Sequence, residues 1–161
     1  MTLLRGFSKV NPVAAGTGEG GRIPIPSNMR EKAGISAGSI VEIMVIRIKG
    51  SGRWPHIIVH ASGIRPQLSM LQVVMKEEKS RIDDEAGLIL ADDTLDEAKL
   101  ETGYRVEIKL TGPHHASWLV IHNRGPARLT TLQEKIGRLG HEKTGRSGTI
   151  SRKWKSMTIE Y

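Results

Sequence analysis

Alternating apolar and polar positions dominate the first third of the chain. Apolar residues recur at every second position over residues 21–25, and a longer apolar run follows over residues 40–48. Both patterns are typical of β-strands. Between them, Ser27 is suited to the N-cap of a helix and Gly34 to a left-handed helix end, so residues 28–33 are predicted to form one or two helical turns. The pattern therefore predicts a strand, a short helix and a second strand.

The flanking segments extend this pattern on both sides. Residues 2–10 are predicted to form an opening strand, followed by a Gly- and Ala-rich loop at residues 13–20, and residues 56–60 are predicted to form a further strand. Arg65 and Pro66 then open a predicted longer helix, because Pro is tolerated at the first helical position and apolar residues fall on one helical face afterwards: Leu68, Leu71, Val74 and Met75.

The same order of elements then begins again. A shift of 65 residues aligns residues 23–43 with residues 88–108 without a gap, and a slightly smaller shift aligns residues 57–60 with residues 119–122. The longer helix has its counterpart at residues 129–133. The chain is therefore interpreted as a tandem duplication with three regions: a first repeat at residues 1–80, a second repeat at residues 81–140, and a basic flexible tail at residues 141–161.

Composition narrows the functional classes. The chain of 161 residues is 38% hydrophobic, which is enough for one domain or two small ones. It contains no cysteine, which excludes disulfides and thiolate metal sites, and its histidines lack a ligand spacing, so neither a metal nor a cofactor is expected. No apolar run approaches the roughly 20 residues of a membrane span, and a signal sequence is lacking, so a cytoplasmic protein without membrane contact is expected. No nucleophile, base and orienting group occur together, so the protein is not expected to be an enzyme.

Charge is distributed in three blocks. The formal net charge of +7 and the pI near 9.9 indicate a polyanionic partner. Residues 1–80 carry 11 Lys and Arg against 5 Asp and Glu, residues 81–125 carry 5 against 9, and residues 126–161 carry 8 against 3. The first repeat is thus basic and the second acidic, which predicts that phosphate contacts come from the first repeat.

Residues 21–43 carry a family resemblance. Gly21-Arg22-Ile23-Pro24-Ile25-Pro26 is followed by Arg30, Gly34-Ile35 and the turn glycine Gly38, and this series resembles the AbrB/MazE/SpoVT swapped-hairpin family. The resemblance implies a mainly β fold with short helices (α+β), built as a swapped-hairpin β-barrel of the cradle-loop type. With two copies in one chain, the barrel is expected to close as an intrachain pseudo-dimer. Pairing of each copy with a second chain remains an alternative.

The resemblance also implies which residues contact DNA. In the family, arginines that contact anions follow the first glycine and lie in the helical turn, which correspond here to Arg22 and Arg30. The second repeat has Gly87 and Leu95 at these places, among acidic residues. The alternative for the two arginines is simple ion pairing, with Glu19 or Glu31 as the partners. The predicted DNA-binding set adds the nearby basic residues and comprises Arg5, Lys9, Arg22, Arg30 and Lys32.

These observations favour a DNA-binding transcriptional regulator that contacts duplex DNA. Because only one copy keeps the basic face, a two-fold symmetric contact would need two chains, and a homodimer or larger assembly is expected. The first alternative is an antitoxin-like or other protein-interaction module, with a protein partner bound through the acidic second repeat or the C-terminal tail. The second is a nucleotide-binding enzyme on a related barrel.

Overall fold

The computed structural model describes residues 4–13 and 20–126. The chain divides into two units, residues 1–125 and residues 126–161, and all of the second unit except Pro126 lies outside the described residues. The predictions for most of the Gly-rich loop, for the helix at residues 129–133 and for the basic tail therefore lie outside the described residues.

Strands make up most of the described chain. The elements in chain order are β1 (Arg5–Lys9), β2 (Asn11–Pro12), β3 (Gly21–Pro24), α1 (Ser27–Lys32), β4 (Ile40–Ile48), β5 (His56–Ala61), β6 (Gln72–Ile82), β7 (Gly87–Leu90), α2 (Asp92–Glu97), β8 (Tyr104–Thr111) and β9 (Trp118–Pro126). The predicted mainly β class with short helices is thereby confirmed. Neither helix has the length and apolar character needed to cross a membrane, and no other helix occurs in residues 4–13 or 20–126.

The strands form one antiparallel sheet that nearly closes on itself. Their order is β1-β8-β9-β5-β4-β6-β7-β3-β2, so the N-terminal strand pairs with a strand from the end of the described chain. Near the other end of this order, β3 pairs with β7. The Ser8 hydroxyl of β1 donates a hydrogen bond of 2.7 Å to the carbonyl of Pro24 in β3 and so links the two ends. The result is a barrel-like sheet that leaves little free edge.

Apolar side chains from both halves of the chain fill one continuous core. Ile23, Val41, Leu88 and Val106 are completely buried in it. Burial of each such side chain contributes roughly 1.5–3 kcal/mol. A smaller cluster lies on the opposite face of the central strands, where Ile64 and Leu68 of the loop after β5 pack on four buried side chains: Met44, Ile46, Ile58 and Trp118.

Helix α1 begins one residue earlier than predicted. Pro26 occupies the N-cap and no side chain caps the helix, so the prediction of Ser27 as N-cap is wrong. The reason is that Ser27 already lies in the helix, and the Pro26 carbonyl accepts the first helical hydrogen bond, from the Arg30 amide at 3.0 Å. The predicted left-handed helix end is confirmed, since Gly34 has φ 70°.

The longer helix predicted after Pro66 is wrong. Residues 62–71 contain no helix, and residues 72–82 form β6, the longest strand of the described chain, with 11 residues. Its Val73 and Val74 pair with Arg47 and Ile46 of β4, so the backbone hydrogen bonds are satisfied across the sheet. The apolar spacing that imitated a helical face was too short to decide, and pairing with β4 overrides it.

Candidate nucleic-acid interface

Two of the five predicted DNA-binding residues lie on one strand. Arg5, Phe7 and Lys9 are exposed along β1, whereas the residues between them are half-buried. Side chains alternate between the faces of a strand, so these three project from the outer face of the sheet. Phe7 stands between the two cations and is 69% exposed.

The neighbouring strands extend this basic surface. Lys109 lies opposite Arg5 in β8, and Arg105 lies opposite Lys9; directly opposed residues in an antiparallel pair share a face. On β9, Arg124 is hydrogen-bonded to the same β8 strand through Glu107. These seven residues are called the β1–β8–β9 face: Arg5, Phe7, Lys9, Arg105, Glu107, Lys109 and Arg124. The face carries five cations and one carboxylate.

The single carboxylate of this face orders two of its arginines. Glu107 has a side chain that is only 3% exposed, lies opposite Phe7, and forms an ion pair of 3.1 Å with Arg5 Nε. Its other oxygen accepts a hydrogen bond from Arg124. Burial would raise the pKa of Glu107, but the hydrogen bond from Arg124 and the charges of Arg124, Lys109 and Arg5 outweigh it and lower the pKa. Glu107 therefore remains ionised and holds both guanidinium groups, each with further N–H donors to spare.

The corresponding face of β6 and β4 has a different character. There Glu77, Lys79 and Arg81 lie opposite Met44, Glu42 and Ile40, in that order. The charges of these six residues cancel. The same type of strand pair thus presents a neutral mixture of side chains on one half of the sheet and a concentration of cations on the other.

Arg22 is engaged inside the protein. Its Nε and Nη2 atoms bind the two carboxylate oxygens of Asp83 at 2.6 and 3.2 Å, and Nη2 also donates to the Glu85 carbonyl at 3.1 Å. The hydrogen bond from Arg22 lowers the pKa of Asp83 to about 2, helped by backbone donors from Gly87 and Glu85. Asp83 was not among the ion-pair partners considered from the sequence. In this arrangement Arg22 fastens the β6–β7 turn to β3.

Arg30 and Lys32 lie in the last turn of α1. Lys32 is exposed, and Arg30 is half-buried with an Nε atom that has no hydrogen-bond partner among the described residues. Helix α1 packs against Gly6 through Pro26 and Met29. Because Gly6 alternates with Arg5 and Phe7, the helix lies on the other side of β1 from the β1–β8–β9 face. The five predicted residues therefore belong to separate parts of the surface.

Two histidines meet beside the basic face. His56 of β5 and His122 of β9 are register partners with ring centroids 5.5 Å apart. Burial lowers the pKa of both, and for His122 the nearby charges of His56, Lys109 and Arg124 lower it further, to about 4. Within residues 4–13 and 20–126, no three His, Asp or Glu side chains are grouped to hold a metal ion.

Sequence reasoning missed four residues of the β1–β8–β9 face: Arg105, Glu107, Lys109 and Arg124. They lie in the region described as acidic, and no local motif marks them. One signal was present, since Arg105, Glu107 and Lys109 alternate with buried Val106 and Ile108, which indicates an outward-facing charged row. Only the pairing of β1 with β8 joins this row to Arg5 and Lys9.

A scan against protein-family models, a search of curated proteins and a search of solved structures each found no match to this chain. The resemblance of residues 21–43 to the AbrB/MazE/SpoVT family therefore stays a prediction.

Proposed function

We propose that this protein is a DNA-binding transcriptional regulator that contacts duplex DNA through the β1–β8–β9 face. The observation that carries this proposal is the concentration of five cations on three neighbouring strands, with two of them ordered by Glu107. Lys and Arg that replace condensed counterions gain affinity for the phosphate backbone, and guanidinium groups held in place lose less freedom on binding. Arg5 and Lys9, both predicted from the sequence, belong to this surface.

The second part of the proposal concerns architecture. We propose that the chain is a tandem duplication whose two copies close a swapped-hairpin barrel as an intrachain pseudo-dimer. Matching hydrogen bonds support it: the Ser8 hydroxyl donates to the Pro24 carbonyl, and the Ser80 hydroxyl donates to the carbonyl of Ile89, which stands 65 residues after Pro24. This is the shift found in the sequence.

Backbone contacts recur at the same spacing. The Gly103 amide donates to the Val10 carbonyl, and the Gly38 amide, 65 residues earlier in the chain, donates to the Ile82 carbonyl; both distances are 2.7 Å. In addition, β3 pairs with β7 so that Ile23 lies opposite Leu88, its counterpart in the repeat. These contacts favour pairing of the two copies within one chain.

The unequal faces of the two halves bear on assembly. Five cations lie on the β1–β8–β9 face, and the corresponding pair β6–β4 is electrically balanced. A two-fold symmetric contact with duplex DNA therefore requires a second chain, and we propose a homodimer or larger assembly. Lys32, exposed at the end of α1, is available as an additional phosphate contact, whereas Arg22 would have to leave Asp83 to serve as one.

The test compares two double variants of equal charge change. Arg5→Ala/Lys9→Ala removes cations from the β1–β8–β9 face, and Lys79→Ala/Arg81→Ala removes the same charge from β6. Binding of labelled duplex DNA is measured across a salt series. We expect the first variant to lose about tenfold or more in affinity and to reduce the salt slope by about 2, and the second to bind nearly as the wild type does.

Other outcomes would redirect the proposal. Equal losses in the two variants would mean that overall charge and not this face attracts DNA. Unchanged binding in both would remove the face from DNA recognition. Support would then pass to the protein-interaction function, for which the exposed acidic residues around α2, Asp92, Asp93 and Asp96, are the surface to test.

A further inference from the structure

Phe7 is an exposed aromatic side chain at the centre of a cationic surface. It lies between Arg5 and Lys9 on β1 and is 69% exposed. Residues two apart on a strand are separated by about 7 Å and project from the same face, so a cation stands on each side of the ring. Phosphate attraction alone does not require an aromatic residue at this place.

The surroundings of the ring are ordered. Glu107, directly across the ladder from Phe7, is buried and binds both Arg5 and Arg124. The two guanidinium groups are therefore held close to the ring, with N–H donors left over for a ligand. An aromatic platform beside fixed phosphate-binding groups is the arrangement that binds a nucleic-acid strand whose bases are unpaired.

We infer that the β1–β8–β9 face binds single-stranded nucleic acid, with Phe7 stacking on an unpaired base and Arg5 and Arg124 contacting adjacent phosphates. This inference rests on the proposed function and deepens it by naming the form of nucleic acid that binds most tightly. The phosphate contacts serve a duplex and a single strand alike. In a duplex, however, each base is covered by its neighbours, so only a strand with an unpaired base can offer a face to the ring.

The position that corresponds to Phe7 in the second half supports this specialisation. On β4 and β6, Glu42 is paired in register with Lys79, as Glu107 is paired with Phe7 on β8 and β1. A lysine at this place neutralises the glutamate across from it, whereas Phe7 leaves Glu107 to the two arginines. The platform and the free cations thus occur together on one half of the sheet.

The experiment separates stacking from charge attraction. Fluorescence anisotropy measures the binding of three labelled probes to the full chain: an oligothymidylate of about 12 nucleotides, an abasic strand of the same length and charge, and a duplex. Wild type, Phe7→Ala, Phe7→Trp and Arg5→Ala/Lys9→Ala are compared. Because Phe7 is exposed, the alanine variant is expected to fold, and circular dichroism checks that it does.

We expect the wild type to bind the oligothymidylate about tenfold more tightly than the abasic strand. Phe7→Ala should lose this preference while it keeps its affinity for the abasic strand and the duplex. Phe7→Trp should restore or increase the preference, because a larger ring stacks at least as well. Arg5→Ala/Lys9→Ala should weaken the binding of all three probes.

Three results would overturn the inference. Equal wild-type affinity for the oligothymidylate and the abasic strand would show that no base stacks on the protein, yet loss of binding in Arg5→Ala/Lys9→Ala would leave the proposed function intact. A base preference that survives in Phe7→Ala would place the stacking site elsewhere. A change of oligomeric state in Phe7→Ala, measured by light scattering, would assign the ring to an interface between copies of this chain.

Discussion

The guanidinium group of Arg22 lies against Gly87, the residue 65 positions further along the chain. A methyl group on Gly87 would overlap Arg22 Nε and Cζ. The guanidinium cannot simply move aside, because Asp83 and the Glu85 carbonyl hold it. Arginine at one of these positions therefore requires glycine at the other, and the loss of an arginine from the second repeat is tied to its presence in the first.

This relationship predicts that Gly87→Ala destabilises the protein through Arg22. The methyl group should displace the guanidinium from Asp83, at a cost of about 1 to 2 kcal/mol in the free energy of unfolding. In an Arg22→Ala background most of this cost should disappear. Urea denaturation of the four proteins of this double-mutant cycle measures the coupling.

Gly52→Ala is the matched control, because nothing lies within 4 Å of an added methyl group there. It should change stability little. If Gly87→Ala costs as much without Arg22 as with it, the overlap with the guanidinium is not the cause.

The acid limb of stability should depend on Asp83. Its pKa in the folded protein, about 2, is lower than the ordinary value of 3.8. The folded state thus binds this proton less readily, so the stabilisation is complete above about pH 4 and is lost as the pH falls from about 4 to 2. Asp83→Asn should cost about 1 to 2 kcal/mol at pH 7 and flatten the stability profile over this interval. A profile as steep as that of the wild type would contradict the prediction.

His122 should make stability depend on pH at a higher range. Its pKa in the folded protein is about 4, against an ordinary value of 6.5, first because of burial and then because of nearby cations. The unfolded chain takes up the proton first, so stability is fully present above about pH 6.5 and falls as the pH drops to about 4. The loss should be on the order of 2 kcal/mol.

Unfolding free energies measured from pH 7.5 to 4 check this expectation. His122→Gln should reduce the slope, whereas His115→Gln, in an exposed turn, should leave it unchanged. His56, which also has a lowered pKa, should account for part of the remaining slope. An unaltered slope in His122→Gln would contradict the role given to this residue.

The two helix ends predict opposite effects of glycine. Lys99, which follows α2, has φ 59°, and Gly34, at the same place after α1, has φ 70°. Left-handed backbone is strained for lysine and not for glycine. Lys99→Gly should therefore stabilise the protein by about 0.5 to 1 kcal/mol, and Gly34→Ala should destabilise it by a similar amount. Thermal denaturation of both variants measures the effects, and a loss of stability in Lys99→Gly would contradict the argument.

Local patterns predicted most of the strands and both described helices. The alternation over residues 21–25 and the apolar run over residues 40–48 correspond to β3 and β4, because each pattern reports directly on which side chains are buried. The error at residues 66–75 has the opposite cause. There a spacing compatible with a helix was overridden by pairing with β4, a contact between segments that sequence periodicity does not reveal.

The candidate site was predictable only in part for the same reason. Arg5 and Lys9 were proposed from charge and from the family resemblance, but Arg105, Lys109 and Arg124 join them only through strand pairing across about a hundred residues. Arg22 was assigned to DNA, with Glu19 and Glu31 as alternative partners. Asp83 holds it instead in the structure, because the β6–β7 turn comes to lie beside β3.

The pairing of β1 with β8 has a consequence for synthesis of the chain on the ribosome. Arg5 meets Lys109, so the first strand to emerge has no partner until more than a hundred further residues have been translated. At about 5 to 20 residues per second, β1 waits for several seconds with its backbone unpaired. The earliest part of the chain is thus among the last to become native, and its charged residues, Arg5 and Lys9, help to keep that nascent strand from aggregating in the meantime.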